Sequence, residues 1–319
     1  MTRNGQRWNP SPGLLLVFFT AAISGVSTFV NAYAVQGTNP DAFLTARNAL
    51  VAAMLLPLVL ILAPSSRTKL ARRDWLRLSA IGLIGGAIPF LLFFRGIQMA
   101  TAAGGAATAS FGYRTLFLMA TVLAVVVLRE RVSKRMLLAT VALLGGNALL
   151  LSLSAPVWTD GTALVLAATA LWAAEYTMSK RALRDLPSGT VALGRMGFGA
   201  VFLVAYLAAS NQLGAMGGLG GASLPWILVS AVLLLAFVST WYAGLKHVDL
   251  GVATSVLVLA FPITWALQMV VVPAKFDLVA AVGAVVVVLG VLLAVGLTTL
   301  RDSIGAAIDR IVRAARRAG

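Results

Sequence analysis

The chain has 319 residues, 60% of them apolar and only 11% charged, with a mean hydropathy of +0.94. Such values lie outside the range of soluble globular domains and read as a polytopic membrane protein, so a domain count from length carries no meaning. Cysteine is lacking and His247 is the single histidine, which excludes disulfides, thiolate chemistry and a histidine-cluster metal site. No cofactor or metal is expected. The net charge of +15 would suggest nucleic acid in a soluble chain, but here the basic residues follow membrane topology. The expected partners are the lipid bilayer and a small-molecule substrate, with protons or another ion as a coupling partner, and not nucleic acid.

Arg3 and Arg7 precede an apolar run from Leu14 to about Val35, which is too long for a signal-peptide core and predicts a first membrane helix. Apolar segments of spanning length, about 20 residues each, follow one another at 13–35, 42–63, 75–97, 102–128, 136–155, 161–180, 188–208, 225–244, 250–272 and 278–298. The connections between them alternate in charge. Arg67, Lys69, Arg72 and Arg73 follow the second span, Arg129, Arg131, Lys134 and Arg135 the fourth, and Lys180, Arg181 and Arg184 the sixth. The connections at 36–41, 155–160 and 209–224 contain no Lys or Arg, and 273–277 has only Lys275. The positive-inside rule then predicts a multi-pass protein of the inner (plasma) membrane with both termini cytoplasmic. From residue 301, Ile304, Ile308, Ile311 and Ala315 alternate at helical spacing with Arg310, Arg313, Arg316 and Arg317. That pattern suits either a helix lying on the anionic inner leaflet or a disordered basic tail.

A weak repeat runs at a period near 150 residues. NPDAFLTARNALVAAMLLPLVL corresponds to LPSGTVALGRMGFGAVFLVAYL, which aligns Arg47 with Arg195, and Trp75 falls close to Trp226. Five helices per repeat is an odd number, so the second copy enters the membrane in the opposite sense, the arrangement of alternating-access carriers. The predicted fold is all-α, a polytopic membrane protein of ten transmembrane helices in two inverted five-helix repeats. Its parts are an N-terminus at 1–12, a first repeat at 13–155, a second at 156–298 and a basic amphipathic tail at 299–319.

Five motifs carry a family likeness: Pro40 with Arg47, Pro187 with Arg195, LRERVS at 128–133, LWAAEYTMSKRAL at 171–183 and LAFPITWAL at 259–267. In this order and spacing the sequence resembles the drug/metabolite transporter superfamily, specifically its EamA branch of ten-helix carriers built from two five-helix halves. A narrower likeness, carried by GGAIPFLLFFRGIQMATA and SFGYRTLFLMATVLAVVVLRERVS, is to an EamA subgroup of unassigned substrate. Two positions depart from the usual EamA pattern. Tyr113-Arg114-Thr115 stands near where a proline is usual, and Lys275 stands where an acidic residue is. The resemblance implies a secondary transporter of a small metabolite, an exporter, and no enzymatic activity.

Arg47, Arg95, Arg114, Arg195 and Glu175 lie inside the apolar spans. Each costs about 2.5–3.5 kcal/mol at a helix centre and so must be paired, hydrated or used on a ligand. At about 1.5 Å per residue, Arg114 is about 18 Å and Glu175 about 21 Å from the outer surface, and Arg195 about 12 Å above the inner one, near one level in a core about 30 Å thick. Arg47 lies higher, and Arg95 near the outer end of the third span. Arg114 and Arg195 are expected to hold an anionic group, because a guanidinium presents a planar fork of donors to carboxylate or phosphate. The alternative for Arg114 is a structural ion pair with Glu175. For Glu175 a protonatable coupling carboxylate and a fixed counter-ion stand side by side. Arg47 and Arg195 also suit an architectural role, binding backbone carbonyls at a helix end, and Arg95 suits snorkelling to the interface.

Trp172, three residues before Glu175, shares its helix face and is expected to pack the body of the substrate, with Tyr176 beside it. Tyr113 adjoins Arg114 but is expected to point elsewhere, with packing as its alternative role. Asn31, Asn48 and Asn147 suit helix-to-helix hydrogen bonds. Gly82, Gly85, Gly86, Gly104, Gly105, Gly112, Gly145 and Gly146 suit close helix contacts, and Pro89 and Pro262 suit bends. The expected function is secondary active transport of a small polar, anionic or zwitterionic metabolite by alternating access. The rival is a flippase for a lipid-linked anion, which needs Arg47, Arg114 and Arg195 to face a lateral opening. A membrane enzyme is disfavoured because neither a nucleophile motif nor a histidine–carboxylate pair is present. A non-transporting assembly subunit leaves the midplane charges unexplained.

Overall fold

The computed structural model describes residues 11–34, 38–62, 70–153, 155–271, 276–296, 299–301, 303 and 305. The expectations for the segment before residue 11, for Arg67, Lys69 and Lys275, and for nearly all of the basic tail lie outside these residues. All regular structure among the described residues is helical: α1 (Ser11–Ala34), α2 (Pro40–Leu62), α3 (Arg72–Gly86), α4 (Ile88–Ala102), α5 (Ala106–Arg114), α6 (Leu116–Leu123) with a π-helical extension (Ala124–Leu128), α7 (Lys134–Leu150), α8 (Asp160–Ala182), α9 (Ser188–Ala209), the single turn α10 (Gly214–Gly217), α11 (Leu224–Leu245), α12 (Leu250–Leu257), α13 (Ala260–Val271) and α14 (Leu278–Val295). Several starts carry side-chain caps. Ser133 accepts from Met136 N–H, Thr159 from Thr162 N–H, and Asp277 from the N–H groups of Val279 and Ala280. These side chains satisfy donors that the first helical turn leaves free.

Among the described residues, eight helical stretches are long and apolar enough to cross a membrane: Pro12–Ala34, Pro40–Ile61, Arg72–Ala102, Ala106–Leu128, Ser188–Ala209, Leu224–Leu245, Leu250–Val271 and Leu278–Val295. This makes the chain a multi-pass membrane protein. The spans expected at 136–155 and 161–180 are the helices α7 and α8. α7 falls outside this class at 17 residues, and α8 contains Asp160, Glu175, Lys180 and Arg181.

Three of the expected spans are interrupted. α3 passes into α4 at Ala87, whose φ of −127° and ψ of −75° break the helix two residues before Pro89. α5 passes into α6 at Thr115, and α12 into α13 at Val258 and Leu259, with Pro262 in the first turn of α13. Proline lacks an N–H and its ring clashes with the preceding turn, so the breaks beside Pro89 and Pro262 have a local cause. The break at Thr115 has no proline. There the Thr115 hydroxyl donates to Gly112 O at 2.7 Å, a local bond that competes with the helix ladder.

The two halves interleave. α4 packs on α8 as α11 packs on α1, α5 and α6 pack on α8 as α12 and α13 pack on α1, and α3 packs on α9 as α11 packs on α2. Three further pairs, α2 with α9, α6 with α12 and α7 with α14, join equivalent helices of the two halves. Such a pattern is what two similar five-helix units related by a pseudo-twofold axis produce. Small residues set the closest approaches. A Cβ on Gly86 would lie 2.6 Å from Arg195 O and 2.9 Å from Gly199 Cα, and one on Gly146 would lie 2.8 Å from Val287 N. Gly104 and Gly145 differ from the expectation, since each has open space beside it.

One tie links the halves near the basic connections. Glu130, just beyond the π-helical stretch, accepts from the N–H groups of Leu250 at 2.9 Å and Gly251 at 3.2 Å. A carboxylate from the first half thereby caps the start of α12 in the second, where free N–H groups and the helix dipole favour negative charge. Lys180 of α8 donates to Leu245 O at 2.6 Å and Val248 O at 2.7 Å at the end of α11. The α11–α12 turn is thus held from both sides. Replacing Glu130 by Ala leaves two N–H groups without their acceptor and is expected to cost about 0.5–2 kcal/mol. A fall in melting temperature of the purified protein checks this.

Candidate functional site

The site begins with Pro89. In an unbroken helix the carbonyl of Gly85 would accept from the N–H of residue 89, which proline does not have. The Phe90 N–H turns to Ala87 O at 3.1 Å, which frees Gly86 O as well. Both carbonyls find side-chain donors from other helices. Gly85 O accepts from the Trp172 indole N–H at 3.2 Å and from Arg195 Nη2 at 3.1 Å, and Gly86 O accepts from Asn48 Nδ2 at 3.3 Å. Gly85 also lies against Glu175, so closely that a Cβ there would overlap its side chain. Trp172 and Glu175, three residues apart on α8, therefore both meet the broken end of α3.

Arg195 and Glu175 form the buried ion pair. Arg195 Nε is 3.5 Å from Glu175 Oε2, with side-chain exposures of 3% and 0%. Glu175 Oε1 accepts from Ser179 Oγ at 2.5 Å and from the Tyr242 hydroxyl at 2.7 Å. This carboxylate is held by a cation and two hydroxyls, the geometry of a fixed counter-ion. Arg47, at the equivalent position of the first half, is also buried and within electrostatic range of Arg195. Its Nε and Nη2 donate to Asn48 Oδ1, each at 3.3 Å, and its guanidinium lies 5.5 Å from the Phe90 ring centre. A neighbouring amide and a ring face, which attracts cations through its quadrupole, thus stand in for the carbonyls expected as its partners. Arg95 is exposed, at the rim of the bundle.

Arg114 sits apart from that cluster. Its expected alternative partner, Glu175, is taken by Arg195. Arg114 Nη1 donates to Asn147 Oδ1 at 3.2 Å, and its guanidinium lies 4.3 Å from the Phe261 ring centre. Among the described residues it has no carboxylate partner. Arg114 ends α5 and lines a cavity walled by five helical stretches. Tyr113, its neighbour on α5, lines it too. Ser24 and Thr28 enter from α1, Tyr176 from α8, Thr254 from α12 and Phe261 from α13. Trp172 is not in the wall. Its ring centre is 5.5 Å from that of Tyr113 and 5.2 Å from that of Phe90, so it buttresses the wall from behind, with its N–H spent on Gly85 O. Tyr176 packs on Trp241 at 4.8 Å.

The cavity therefore joins Arg114, Tyr113 and Tyr176 of the expected site residues, while Arg195, Glu175, Trp172 and Arg47 form a buried scaffold beside it. Sequence reasoning missed Ser24, Thr28, Thr254 and Phe261 in the wall, Tyr242 on Glu175 and Asn147 on Arg114. Ser24 and Thr28 are polar residues one turn apart on a membrane helix, the one signal that was available for this wall. Asn31, Asn48 and Asn147 each bond to a side chain or backbone of another helix.

Two similar sets of apolar helices, buried charges and a cavity lined by an arginine describe a polytopic membrane protein with an internal site. The model of the EamA-like transporter family matches residues 11–152 and 160–296, one match to each half. The chain belongs to the EamA-like transporter family, and it is accordingly a membrane transporter of small molecules. A solved structure, entitled only "Crystal structure of protein", superposes with a TM-score of 0.71 at 17% identity, over 90% of this chain and 97% of that one. It shares the fold. No curated protein matches the chain.

The buried pair invites a double-mutant test. Removing one member strands a charge and is expected to cost about 3–5 kcal/mol, whereas apolar replacement of both can be nearly neutral. Arg195→Met should therefore lower the melting temperature more than Arg195→Met combined with Glu175→Gln. If the two losses simply add, the pair is not coupled.

Proposed function

We propose that the chain is a secondary carrier that moves a small polar metabolite, anionic or zwitterionic, by alternating access between a first half at 13–155 and a second at 156–298. In this reading α7 and α8 also cross the bilayer, which gives ten spans, an odd number per half and inverted repeats. The positive-inside distribution supports cytoplasmic termini, flanked by residues 1–12 and the basic tail at 299–319. Export is the direction we expect. One observation carries the substrate assignment: Arg114 lines the cavity with an amide and a ring for company and no carboxylate. An uncompensated guanidinium in a membrane protein's interior costs free energy that an anionic ligand offsets.

Glu175 serves in this reading as counter-ion to Arg195 rather than as the coupling carboxylate, because its Oε1 accepts from two hydroxyls, its Oε2 faces Arg195 Nε at 3.5 Å and it is fully buried. Arg195 and Trp172 hold the broken end of α3 in place and so position the wall rather than touch the ligand. The flippase reading is supported less well. It needs arginines on a lateral opening, while Arg47 and Arg195 are 6% and 3% exposed.

A thermal-shift screen of amino acids, organic acids, phosphates and nucleotides on the purified protein tests the proposal, since a ligand of the folded site stabilises by mass action. Arg114→Gln is expected to weaken an anionic ligand by about tenfold or more, the loss of one charge-assisted interaction of about 1.5–3 kcal/mol. Arg95→Gln, at the exposed rim, should leave binding unchanged. Ligands confined to cations would sink the anion assignment.

A further inference from the structure

The chemistry of the cavity wall narrows the substrate further, and this step rests on the carrier reading above. Among the described residues, Arg114 is the only charged side chain in the wall. Three hydroxyls stand with it, those of Ser24, Tyr113 and Tyr176, and among the described residues none of them has a hydrogen-bond partner. Tyr176 is only 5% exposed, and its hydroxyl lies in the cavity wall without a protein partner, open to a hydrogen bond from a ligand. Thr28 and Thr254 also line the space, but their hydroxyls are spent on Ser24 O and Leu250 O. The other wall residues, Phe117, Phe237, Phe261, Leu116, Leu257, Val258 and Ala260, are apolar.

We infer that the ligand is a monoanion with a flat apolar body, an aryl or branched-alkyl monocarboxylate, and not a zwitterion. The guanidinium of Arg114 takes the carboxylate, the hydroxyls of Ser24, Tyr113 and Tyr176 complete its hydrogen bonds, and the phenylalanine rings receive the apolar body. An α-ammonium group would enter a wall that already holds one cation and offers no carboxylate, because Glu175 lies behind it on Arg195. Desolvating that ammonium without a counter-charge is strongly unfavourable. A phosphate monoester would leave one negative charge unmatched by the single arginine. A hydrophilic short acid would leave the aromatic wall wetted and forgo the burial that apolar contact provides.

The test is a titration of the full chain by thermal shift with five probes: 3-phenylpropanoate, phenylalanine, 2-phenylethylamine, phenyl phosphate and propanoate. 3-Phenylpropanoate is expected to bind about tenfold or more tightly than each of the others, the step of one lost polar or apolar contact. Arg114→Gln should remove that preference. Arg114→Lys, which keeps the charge without the fork, and Tyr176→Phe should each weaken it while the protein stays folded. Phenylalanine or phenylethylamine binding as well as 3-phenylpropanoate overturns the inference, as does propanoate or phenyl phosphate doing so, or no binding of 3-phenylpropanoate at all. The two readings fail differently. An anion that depends on Arg114 but carries an ammonium or lacks an apolar body defeats only this narrowing, whereas indifference of every ligand to Arg114→Gln defeats the site itself.

Discussion

The missing N–H of Pro89 is the constraint on which the centre of this protein depends. It leaves the Gly85 carbonyl unpaired in a helix that passes through an apolar environment, where an unsatisfied backbone group costs several kcal/mol. The carbonyl is instead satisfied by an indole from α8 and a guanidinium from α9. That one acceptor therefore fixes the rotation of α8 and α9 about α3. Once Arg195 is committed to Gly85 O it must be neutralised, and Glu175, one turn along from Trp172, is the group within reach. Ser179 and Tyr242 both donate to Glu175 Oε1, while Oε2 keeps only the ion-pair contact with Arg195 Nε. A backbone defect, two helix faces and a four-member polar network form one unit, and few of its parts can be changed alone.

The pseudo-twofold relation between the halves explains the scaffold, and its violations explain the cavity. Arg47 and Arg195 are equivalent residues on α2 and α9, which pack on each other. Yet Arg195 has a carboxylate and Arg47 has an amide and a ring. The inequality follows from neighbours that lack counterparts, since α8 supplies Glu175 and Trp172 while α1 supplies the small hydroxyls Ser24 and Thr28. Large groups on one side and small ones on the other leave space between them, and Arg114 projects there. The breaks at Thr115 and at Val258 and Leu259 fall at matching places in the stretches Ala106–Leu128 and Leu250–Val271. They bring loosened backbone to the two sides of the cavity, where irregular structure at membrane depth is tolerated because it faces protein or a cavity rather than lipid.

Composition and charge made the membrane class, the repeat and the importance of the arginines legible before any coordinates. Partnerships were not legible. Depth along a helix needs only the rise per residue, and it placed Arg114, Arg195 and Glu175 near one level. Pairing needs the rotation of each helix about its axis, in which each residue turns about 100° from the last. The expected alternative pairing of Arg114 with Glu175 failed because depth alone does not give that rotation. Tyr113 and Arg114, adjacent on α5, both reach one cavity although the helix turns them about 100° apart. Trp172 and Glu175 on a shared face were read correctly, because α8 is unbroken between them. What the sequence could not show was that this face meets a carbonyl instead of a ligand.

The division between a neutralised cluster and an uncompensated arginine has a consequence for a carrier. Arg195 and Glu175 hold the same charge balance whether or not a ligand is present, so they can stay buried through every state of the cycle. Arg114 cannot. Closing the cavity over it without an anion would desolvate a lone guanidinium, at a cost of the order of 2.5–3.5 kcal/mol. Closing over the loaded cavity desolvates a matched pair instead. On the proposed reading, Arg114 makes the occluded state accessible mainly when substrate is bound, and a carrier built this way exchanges or moves its ligand with little slippage. A coupling ion is then not required to penalise empty transitions, because the site's own charge already does.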